Sequence, residues 1–291
     1  MTLHAIILAN LGLFYLIAGL VGLLVGSFLN VVIYRIPIMI EREWRSECSQ
    51  FLEIHIDSNV PAETFNLVFP GSSCPHCRHK ISPIENIPVI SFLVLGGKCR
   101  ECKNRISARY PVIEIITCLL TLVVAFHFGV TAMAILATLL TWSLIVLTMI
   151  DFDHHLLPDS ITLPFLWAGI LANMHGVFTD IHSSLYGAIG GYLVLWSVYM
   201  GFKILTGKEG MGHGDFKLLA MLGAWLGWQS LPLIIIVSSI LGSVVGGGLI
   251  VFGGHNKSQS IPFGPYLALA GWISLLYGKE LTALYLNLMV S

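Results

Sequence analysis

Residues 131–159 read TAMAILATLLTWSLIVLTMI-DFDHHLLPD, an apolar run that ends on a short polar segment. A membrane-spanning helix needs about 20 mostly apolar residues, so residues 131–150 are predicted to cross a membrane. Asp151 follows this run directly, and Asp215 lies just before the apolar residues 216–226. A carboxylate near hydrocarbon costs about 2.5–3.5 kcal/mol by insertion scales, so both aspartates are candidate functional residues.

The composition of the whole chain also predicts an integral membrane protein. Of its 291 residues, 56% are hydrophobic and 11% are charged, whereas soluble domains have about 25% charged residues. The net charge of −1 indicates no particular class of charged partner. The charge-free residues 5–34 are too long for the core of a signal peptide, so they are expected to remain as a first membrane helix.

Eight apolar segments predict an all-α polytopic membrane protein with about eight transmembrane helices. The fourth and sixth segments are short and are expected to be tilted or partly re-entrant. The eight segments are residues 11–33, 112–128, 131–150, 161–173, 185–204, 216–228, 231–252 and 262–277.

The distribution of positive charge predicts the orientation. Ten of the fifteen Lys and Arg residues lie between Arg35 and Arg109. Because cytoplasmic loops collect Lys and Arg, this insert after the first helix is predicted to be cytoplasmic and the N-terminus to be outside. Eight spans then place Asp151 and Asp215 at the cytoplasmic side as well.

Two cysteine pairs in the polar insert, CPHC and CREC, are separated by 21 residues. Each pair has the spacing of a zinc knuckle, and two knuckles complete a tetrahedral shell. Disulfides are the alternative, but the predicted cytoplasmic location favours zinc. His76 and His79 are spare ligands nearby and are expected to be surface residues. The predicted zinc ligands are Cys74, Cys77, Cys99 and Cys102.

The basic residues around these cysteines also raise the possibility of a nucleic-acid interface. They are better interpreted as positive charges beside a membrane, because no aromatic residues are interleaved with them. No nucleic-acid partner is therefore predicted. Zinc would supply folding energy that the polar insert otherwise lacks. Cys48 is expected to be a free thiol and Cys118 to be a packing residue.

Several motifs occur in a fixed order along the chain: GSFLNVVIYRIP at 26–37, the two cysteine pairs, PIENIP at 83–88, IDFDHHLLPD at 150–159 and GMGHGDFK at 210–217. Together they resemble those of the type IV prepilin peptidases, the bifunctional leader peptidase/N-methyltransferases. The resemblance extends from about Gly26 to Gly271. It implies three regions: residues 1–38 as a first transmembrane helix, 39–110 as a zinc-binding, methyltransferase-associated insert, and 111–291 as a transmembrane aspartic peptidase core.

The resemblance implies an enzyme of the bacterial inner membrane. Such an enzyme cleaves the leader of type IV prepilins or type II secretion pseudopilins at the cytoplasmic face. It then methylates the new N-terminal residue with S-adenosylmethionine. The implied partners are these substrates, membrane lipid and the pilus or secretion machinery. By the family pattern, the catalytic residues are Asp151 and Asp215.

Peptide hydrolysis by two carboxylates requires one ionised and one protonated group, and two like charges held close together favour that state. Gly212 and Gly214 lack side chains and are expected to let an extended substrate approach Asp215. Asp153 is the nearest alternative to Asp151, and Asp159 is expected to be a helix N-cap. A carboxylate and histidine metal site at residues 151–155 is a further alternative.

The methyl-donor site is weakly defined by the sequence. Gly96 and Gly97 form a glycine-rich turn, and Glu85 supplies a carboxylate for a ribose, but all three also fit loop architecture around zinc. Glu114 is expected to be an edge residue of its span rather than part of this site. A transporter that uses the aspartates as ion sites, and a scaffold that binds the secretion machinery, are the alternatives to an enzyme.

Overall fold

The computed structural model describes residues 10–52, 65–253 and 261–290; residues 53–64 of the predicted insert lie outside this description. Within the described residues the chain is helical, and its only β-structure is two isolated bridges. Short 3₁₀ turns lie at Ile84–Asn86 and Trp228–Ser230. The α-helices are α1 (Leu11–Phe51), α2 (Ile90–Val94), α3 (Arg109–Phe128), α4 (Ala132–His154), α5 (Asp159–Asn173), α6 (Ile181–Thr206), α7 (His213–Leu226), α8 (Leu231–Gly253) and α9 (Gly264–Val290).

The prediction of an all-α, multi-pass membrane protein is confirmed. In the described part of the chain, five helical segments are long and apolar enough to cross a membrane: α1, α3, α4, α6 and residues 228–248, which include most of α8. The predicted fourth and sixth spans correspond to α5 and α7, of 15 and 14 residues. At 1.5 Å per residue, each is about 22 Å long, which is shorter than the roughly 30 Å hydrocarbon core.

The chain forms two compact units, Met1–Val130 and Thr131–Ser291. The predicted divisions after residues 38 and 110 stay predictions. Helix α1 passes through residue 38 without a break and continues to Phe51. Residues 41–51 are polar but include good helix formers, and Glu41 pairs with Arg45 one turn later at 2.6 Å.

In the first unit, α1 and α3 pack closely through glycines. A Cβ on Gly22 would lie 2.8 Å from the Cα atom of Cys118, and one on Gly26 would lie 2.8 Å from that of Glu114. Small residues of this kind allow membrane helices to approach backbone to backbone. The Asn30 amide also donates to the backbone oxygen of Tyr110, at the start of α3. The two helices therefore run antiparallel and are fixed in register.

A buried arginine attaches the cysteine-containing segment to α1. The Arg35 guanidinium donates to the backbone oxygens of Asn66 at 2.8 Å and Pro70 at 2.6 Å. It also lies 5.7 Å from the centre of the Phe65 ring, and Arg42 lies 4.3 Å from the same ring. These contacts fix residues 65–70 against α1, directly before the first cysteine pair.

Helix α7 forms the core of the second unit and packs against α5, α6 and α9. Residues 215–216 and 218–225 are all buried. The closest helix contact lies between α6 and α7, where a Cβ on Gly187 would overlap the Gly223 backbone and one on Gly223 would overlap the Gly187 backbone. The short helix that carries Asp215 is therefore enclosed by protein.

The C-terminal end of α7 is held by side chains from its neighbours. The Asn173 amide donates to the backbone oxygens of Ala224 at 2.8 Å and Trp225 at 2.9 Å. The Ser184 hydroxyl donates to the same Ala224 oxygen, and the Trp225 indole donates to the Phe165 oxygen at 2.7 Å. The bonds from Asn173 and Ser184 satisfy backbone oxygens that the last turn of a helix leaves unpaired, and the Trp225 bond ties that turn to α5.

We expect Gly187→Ala to destabilise the second unit, because the added methyl group has no space between α6 and α7. Overpacking of this kind typically costs about 1–3 kcal/mol, and overlap with backbone places it at the upper end. The matched control is Gly201→Ala in the same helix, where a Cβ meets nothing within 4 Å. Thermal unfolding in detergent should show a lower midpoint for Gly187→Ala alone. Equal midpoints for both variants would contradict the close helix contact.

Candidate active site and metal centre

Asp151 lies in the last turn of α4 and is only 6% exposed. The helix ends at His155, whose left-handed backbone (φ 53°) lets its N–H bond the Asp151 backbone oxygen at 2.9 Å. The Asp151 carboxylate accepts a hydrogen bond of 3.0 Å from the backbone N–H of Gly264, at the start of α9. A carboxylate at a helix C-terminus is unfavourable, and the Gly264 bond partly offsets this cost.

Asp215 lies in the first turn of α7 and is also 6% exposed. A carboxylate is favourable at this end of a helix because unpaired N–H groups point towards it. The two aspartates are close enough for the charge on Asp151 to act on Asp215. The structure therefore brings together two buried carboxylates that are 64 residues apart in the sequence.

Leu157 packs between Gly214, which precedes Asp215, and Gly264, which binds the Asp151 carboxylate. A Cβ on Gly214 would lie 2.7 Å from the Leu157 Cβ atom. A Cβ on Gly264 would lie 2.6 Å from the Asp151 carboxylate and 3.3 Å from the Leu157 side chain. The absence of side chains at Gly214 and Gly264 thus allows the site to close around Leu157.

The two glycines before Asp215 have different surroundings. Gly212 is exposed, and a Cβ there would meet only the Asp215 carboxylate, at 3.7 Å. Gly214 is partly covered by Leu157. The predicted role of both glycines in substrate approach stays a prediction, and the geometry leaves more room at Gly212.

The neighbouring acids differ from the buried pair. Asp153 and Asp159 are exposed, whereas Asp151 is buried. The expectation that Asp159 is an N-cap is wrong: Pro158 holds that position, since proline fixes the extended entry to α5, and Asp159 lies in the first turn. Its carboxylate accepts two bonds of 2.7 Å from the Lys217 ammonium. This pair joins α5 to α7 beside Asp215.

Gly264 was not identified from the sequence as a site residue. The available signal was the turn-forming stretch Pro262-Phe-Gly-Pro265 before the last apolar run. Nothing local to that stretch indicates a partner in α4, because the bond to Asp151 joins positions 113 residues apart. Only the packing of α9 against α4 shows it.

The four predicted cysteines form one cluster in the first unit. Their sulfur atoms all lie within 4.8 Å of one another, with Cys74 to Cys102 at 3.8 Å and Cys77 to Cys99 at 3.9 Å. A tetrahedral zinc ion with Zn–S bonds of about 2.3 Å separates its sulfur ligands by roughly 3.8 Å. All four cysteines are free. In the described part of the chain this is the only group of three or more Cys, His, Asp or Glu ligands, and residues 151–155 form none.

The two cysteine knuckles are an internal repeat that was not predicted from the sequence. Residues 71–82 (GSSCPHCRHKIS) and 96–107 (GGKCRECKNRIS) align with a constant offset of 25 positions. Their backbones match as well. Arg78 and Lys103 both have a φ of 59°. The backbone N–H of each donates to the backbone oxygen of the first cysteine of its knuckle, at 2.9 and 3.1 Å. Both halves close with an antiparallel bridge, Ser73 to Lys80 and Lys98 to Arg105.

The thiols of the first knuckle differ in pKa. The backbone N–H groups of Cys77 and His76 lower the pKa of the Cys74 thiol to about 6. The backbone N–H of His79 lowers the pKa of the Cys77 thiol, but desolvation and the neighbouring thiols outweigh it and raise that pKa to about 11. The thiolate is the form that binds metal. His76 and His79 are not members of the cluster.

Glu85 connects the two knuckles. Its carboxylate accepts bonds of 2.9 Å from the Ser82 backbone N–H and hydroxyl, and these bonds lower its pKa to about 2. It also lies 3.3 Å from the His79 ring and 3.6 Å from the Arg100 guanidinium. Because His79 belongs to the first knuckle and Arg100 to the second, this carboxylate faces both halves.

The other candidates for methyl-donor binding have structural partners in the same unit. Gly96 and Gly97 both have positive φ and end α2, where their N–H groups bond the backbone oxygens of Leu93 and Phe92. A Cβ on Gly97 would press on the Phe92 ring at 3.0 Å, while the space around Gly96 is open. Glu114 is buried and accepts a bond of 2.7 Å from the Val89 N–H.

Comparisons with known proteins agree with the division of the chain into two units, before and after residue 130. Residues 20–128 match the model of the bacterial peptidase A24 N-terminal domain, and residues 138–247 match that of the type IV leader peptidase family. The chain belongs to the type IV leader peptidase family. The match to this family's own model contains both buried aspartates, and the match to the N-terminal domain contains all four clustered cysteines.

Relatives in the type IV leader peptidase family cover nearly the whole chain. A prepilin leader peptidase/N-methyltransferase of Aeromonas hydrophila is 53% identical over 275 residues, 94% of each chain. Proteins of the same name from Pseudomonas aeruginosa and Dichelobacter nodosus are 53% and 48% identical, over 94% and 98% of each chain. No solved structure matches the chain.

Proposed function

We propose that this chain is a prepilin peptidase of the bacterial inner membrane. It cleaves the leader of type IV prepilins or type II secretion pseudopilins and N-methylates the new N-terminal residue with S-adenosylmethionine. Relatives that carry this name match 94% of the chain or more. The observation that supports the peptidase most directly is the pair of buried, interacting carboxylates, Asp151 and Asp215.

The proposed hydrolysis uses the pair as a general base and a general acid. Two carboxyl groups whose charges repel each other do not both ionise easily, so the pair holds one proton. The ionised carboxylate takes a proton from the attacking water, and the protonated one donates a hydrogen bond to the scissile carbonyl oxygen. Gly264 fixes one Asp151 oxygen through its N–H, which leaves the other oxygen for chemistry.

The substrate is proposed to approach from the exposed side of Gly212. This glycine precedes Asp215 at the beginning of α7, and its backbone is open. The substrate segment must be extended there, because the peptide bonds of a helix are engaged in their own hydrogen bonds. The orientation proposed for the chain, with the aspartates and the cysteine insert on the cytoplasmic side, is supported by the ten Lys and Arg residues between Arg35 and Arg109.

Zinc is the metal proposed for the cysteine cluster. Cys74, Cys77, Cys99 and Cys102 have the donor chemistry and the sulfur spacing that a tetrahedral ion requires. A four-cysteine shell leaves no open coordination position, so the ion would stabilise the fold of residues 71–107 rather than activate water.

The methyl donor is not assigned to particular residues. One Glu85 carboxylate oxygen accepts from Ser82 and lies beside His79, whereas the other, Oε1, is buried without a hydrogen-bond partner, 3.6 Å from the exposed Arg100 guanidinium. Gly97 packs on Phe92. Of the three candidates, Gly96 alone has open space around it. We therefore derive no methyl-transfer step from these residues, and their role in binding the donor stays a prediction.

One incubation tests both activities. Purified full-length protein in detergent should shorten a prepilin by its leader and, when labelled S-adenosylmethionine is present, transfer the label to the new N-terminus. Omitting the donor should leave cleavage intact, because hydrolysis needs no methyl group. An intact prepilin after prolonged incubation, with folded protein confirmed by its helical circular dichroism, would contradict the proposal and favour a transporter or a scaffold.

A further inference from the structure

The segment between the two knuckles, residues 84–94, exposes an apolar face. It consists of the 3₁₀ turn Ile84–Asn86, a short connection and α2. Five large aliphatic side chains of this segment are 41–80% exposed: Ile84, Ile87, Ile90, Leu93 and Val94. A patch of this kind within eleven residues is unusual on a surface that faces water, and such patches mark interaction sites.

Glu114 sets the position of this segment relative to the membrane. It lies in the second turn of α3, which is a candidate membrane span, and its carboxylate binds the Val89 N–H in the middle of the segment. At 1.5 Å per residue, Glu114 is about 8 Å along α3 from its first residue, Arg109. The segment therefore lies beside the end of a span and not at a distance from the bilayer.

The Val89 backbone shows that this placement is specific. Val89 has a φ of 60°, a conformation that β-branched residues rarely adopt. Such a conformation persists only where the surroundings determine it. Here the bond to Glu114 does so, and Glu114 in turn packs on Gly26 of α1.

The surface around the segment has the two properties of a membrane-interface element. On α3, around Glu114, exposed side chains are apolar as well, with Val112, Ile115 and Ile116 43–48% exposed. The flanking knuckles are basic: residues 71–109 contain seven Lys or Arg and two Glu. Exposed aliphatic side chains beside clustered positive charge are typical of elements that lie in the interface of anionic bilayers.

We propose that residues 84–94 insert their apolar face into the interface of an anionic bilayer leaflet, while the basic knuckles contact its lipid headgroups. The segment thus attaches the cysteine-containing part of the first unit to the membrane surface next to α3. This inference does not depend on the proposed enzymatic function.

Quenching by brominated lipid tests the proposal on the full-length protein. We choose Leu93→Trp and Val94→Trp, since both side chains are highly exposed, and Val68→Trp as the matched control. Val68 is 70% exposed in the same unit. Its loop is fixed by Arg35, which lies on α1 five residues beyond Asn30, the residue that contacts the start of α3, and therefore farther from the α3 span. Each variant is reconstituted in nanodiscs of phosphatidylglycerol and phosphatidylcholine in equal parts, and its emission is compared with that of the parent protein.

The added tryptophan at position 93 or 94 should be quenched at least twofold more than the one at position 68. Quenching should decrease when phosphatidylglycerol is replaced by phosphatidylcholine. Equal quenching at all three positions would overturn the insertion, as would blue-shifted but unquenched emission at 93 and 94, which would indicate burial against protein instead of lipid. Quenching that is independent of lipid charge would overturn the role of the basic knuckles.

Discussion

Asp151→Asn and Asp215→Asn are each expected to lower the rate of prepilin cleavage by at least about 10⁴-fold, the scale on which removal of one catalytic group acts. Asparagine keeps the size of the side chain but neither ionises nor donates an acidic proton. The double variant should be no slower than either single variant, because the two carboxylates act as one unit. The measurement is the initial rate of leader removal from purified prepilin.

Asp153→Asn is the matched control for this experiment. It removes a carboxylate two residues from Asp151, but Asp153 is exposed and Asp151 is buried. The control should retain cleavage within a few-fold of the parent. Full activity in Asp151→Asn would overturn the catalytic role of Asp151, and loss of activity in Asp153→Asn alone would transfer that role to Asp153. All variants should insert into membranes at the level of the parent.

The second large effect is expected at the cysteine cluster. Serine at Cys74 or Cys99 should reduce bound zinc from about one ion per chain to near zero, because a neutral hydroxyl is a poor replacement for a thiolate. Elemental analysis of the purified protein gives the metal content directly. Limited proteolysis should then cleave residues 71–107 faster, since structural zinc contributes folding energy.

Two cysteines outside the cluster provide the control. Cys48 is exposed on α1, and Cys118 lies in α3 against Gly22. Serine at either position should leave the zinc content unchanged. Stoichiometric zinc in a variant that lacks all four clustered cysteines would refute the ligand set, and loss of zinc from Cys48→Ser would extend it.

Much of the candidate site could be predicted because its residues differ in polarity or type from the residues around them in the sequence. Asp151 and Asp215 are carboxylates at the ends of apolar runs, and two closely spaced cysteine pairs in one polar segment are typical of a metal site. The apolar runs also predicted helices, although the observed helix ends differ from the predicted ones by a few residues in several cases. In α4, for example, the helix continues past the predicted end at residue 150 to His154, and this places Asp151 inside the last turn.

The remaining features depend on contacts between distant parts of the chain. The bond from Gly264 to Asp151 and the packing of Leu157 on Gly214 leave no local pattern in the sequence. Asp159 is a residue type that is common at N-caps, but Pro158 occupies the cap position and the Asp159 carboxylate pairs with Lys217. The continuation of α1 to Phe51 was missed because its last part is polar and lacks an apolar stripe.

The repeated knuckles have a consequence for the origin of the cysteine-containing fold. One copy, residues 71–82, supplies two thiolates and cannot fill a tetrahedral shell alone. Two separate copies would fill it by pairing around a shared ion. Tandem duplication of a hairpin that first worked as a metal-bridged dimer would therefore produce the same arrangement in one chain, with residues 83–95 as the connection between the copies.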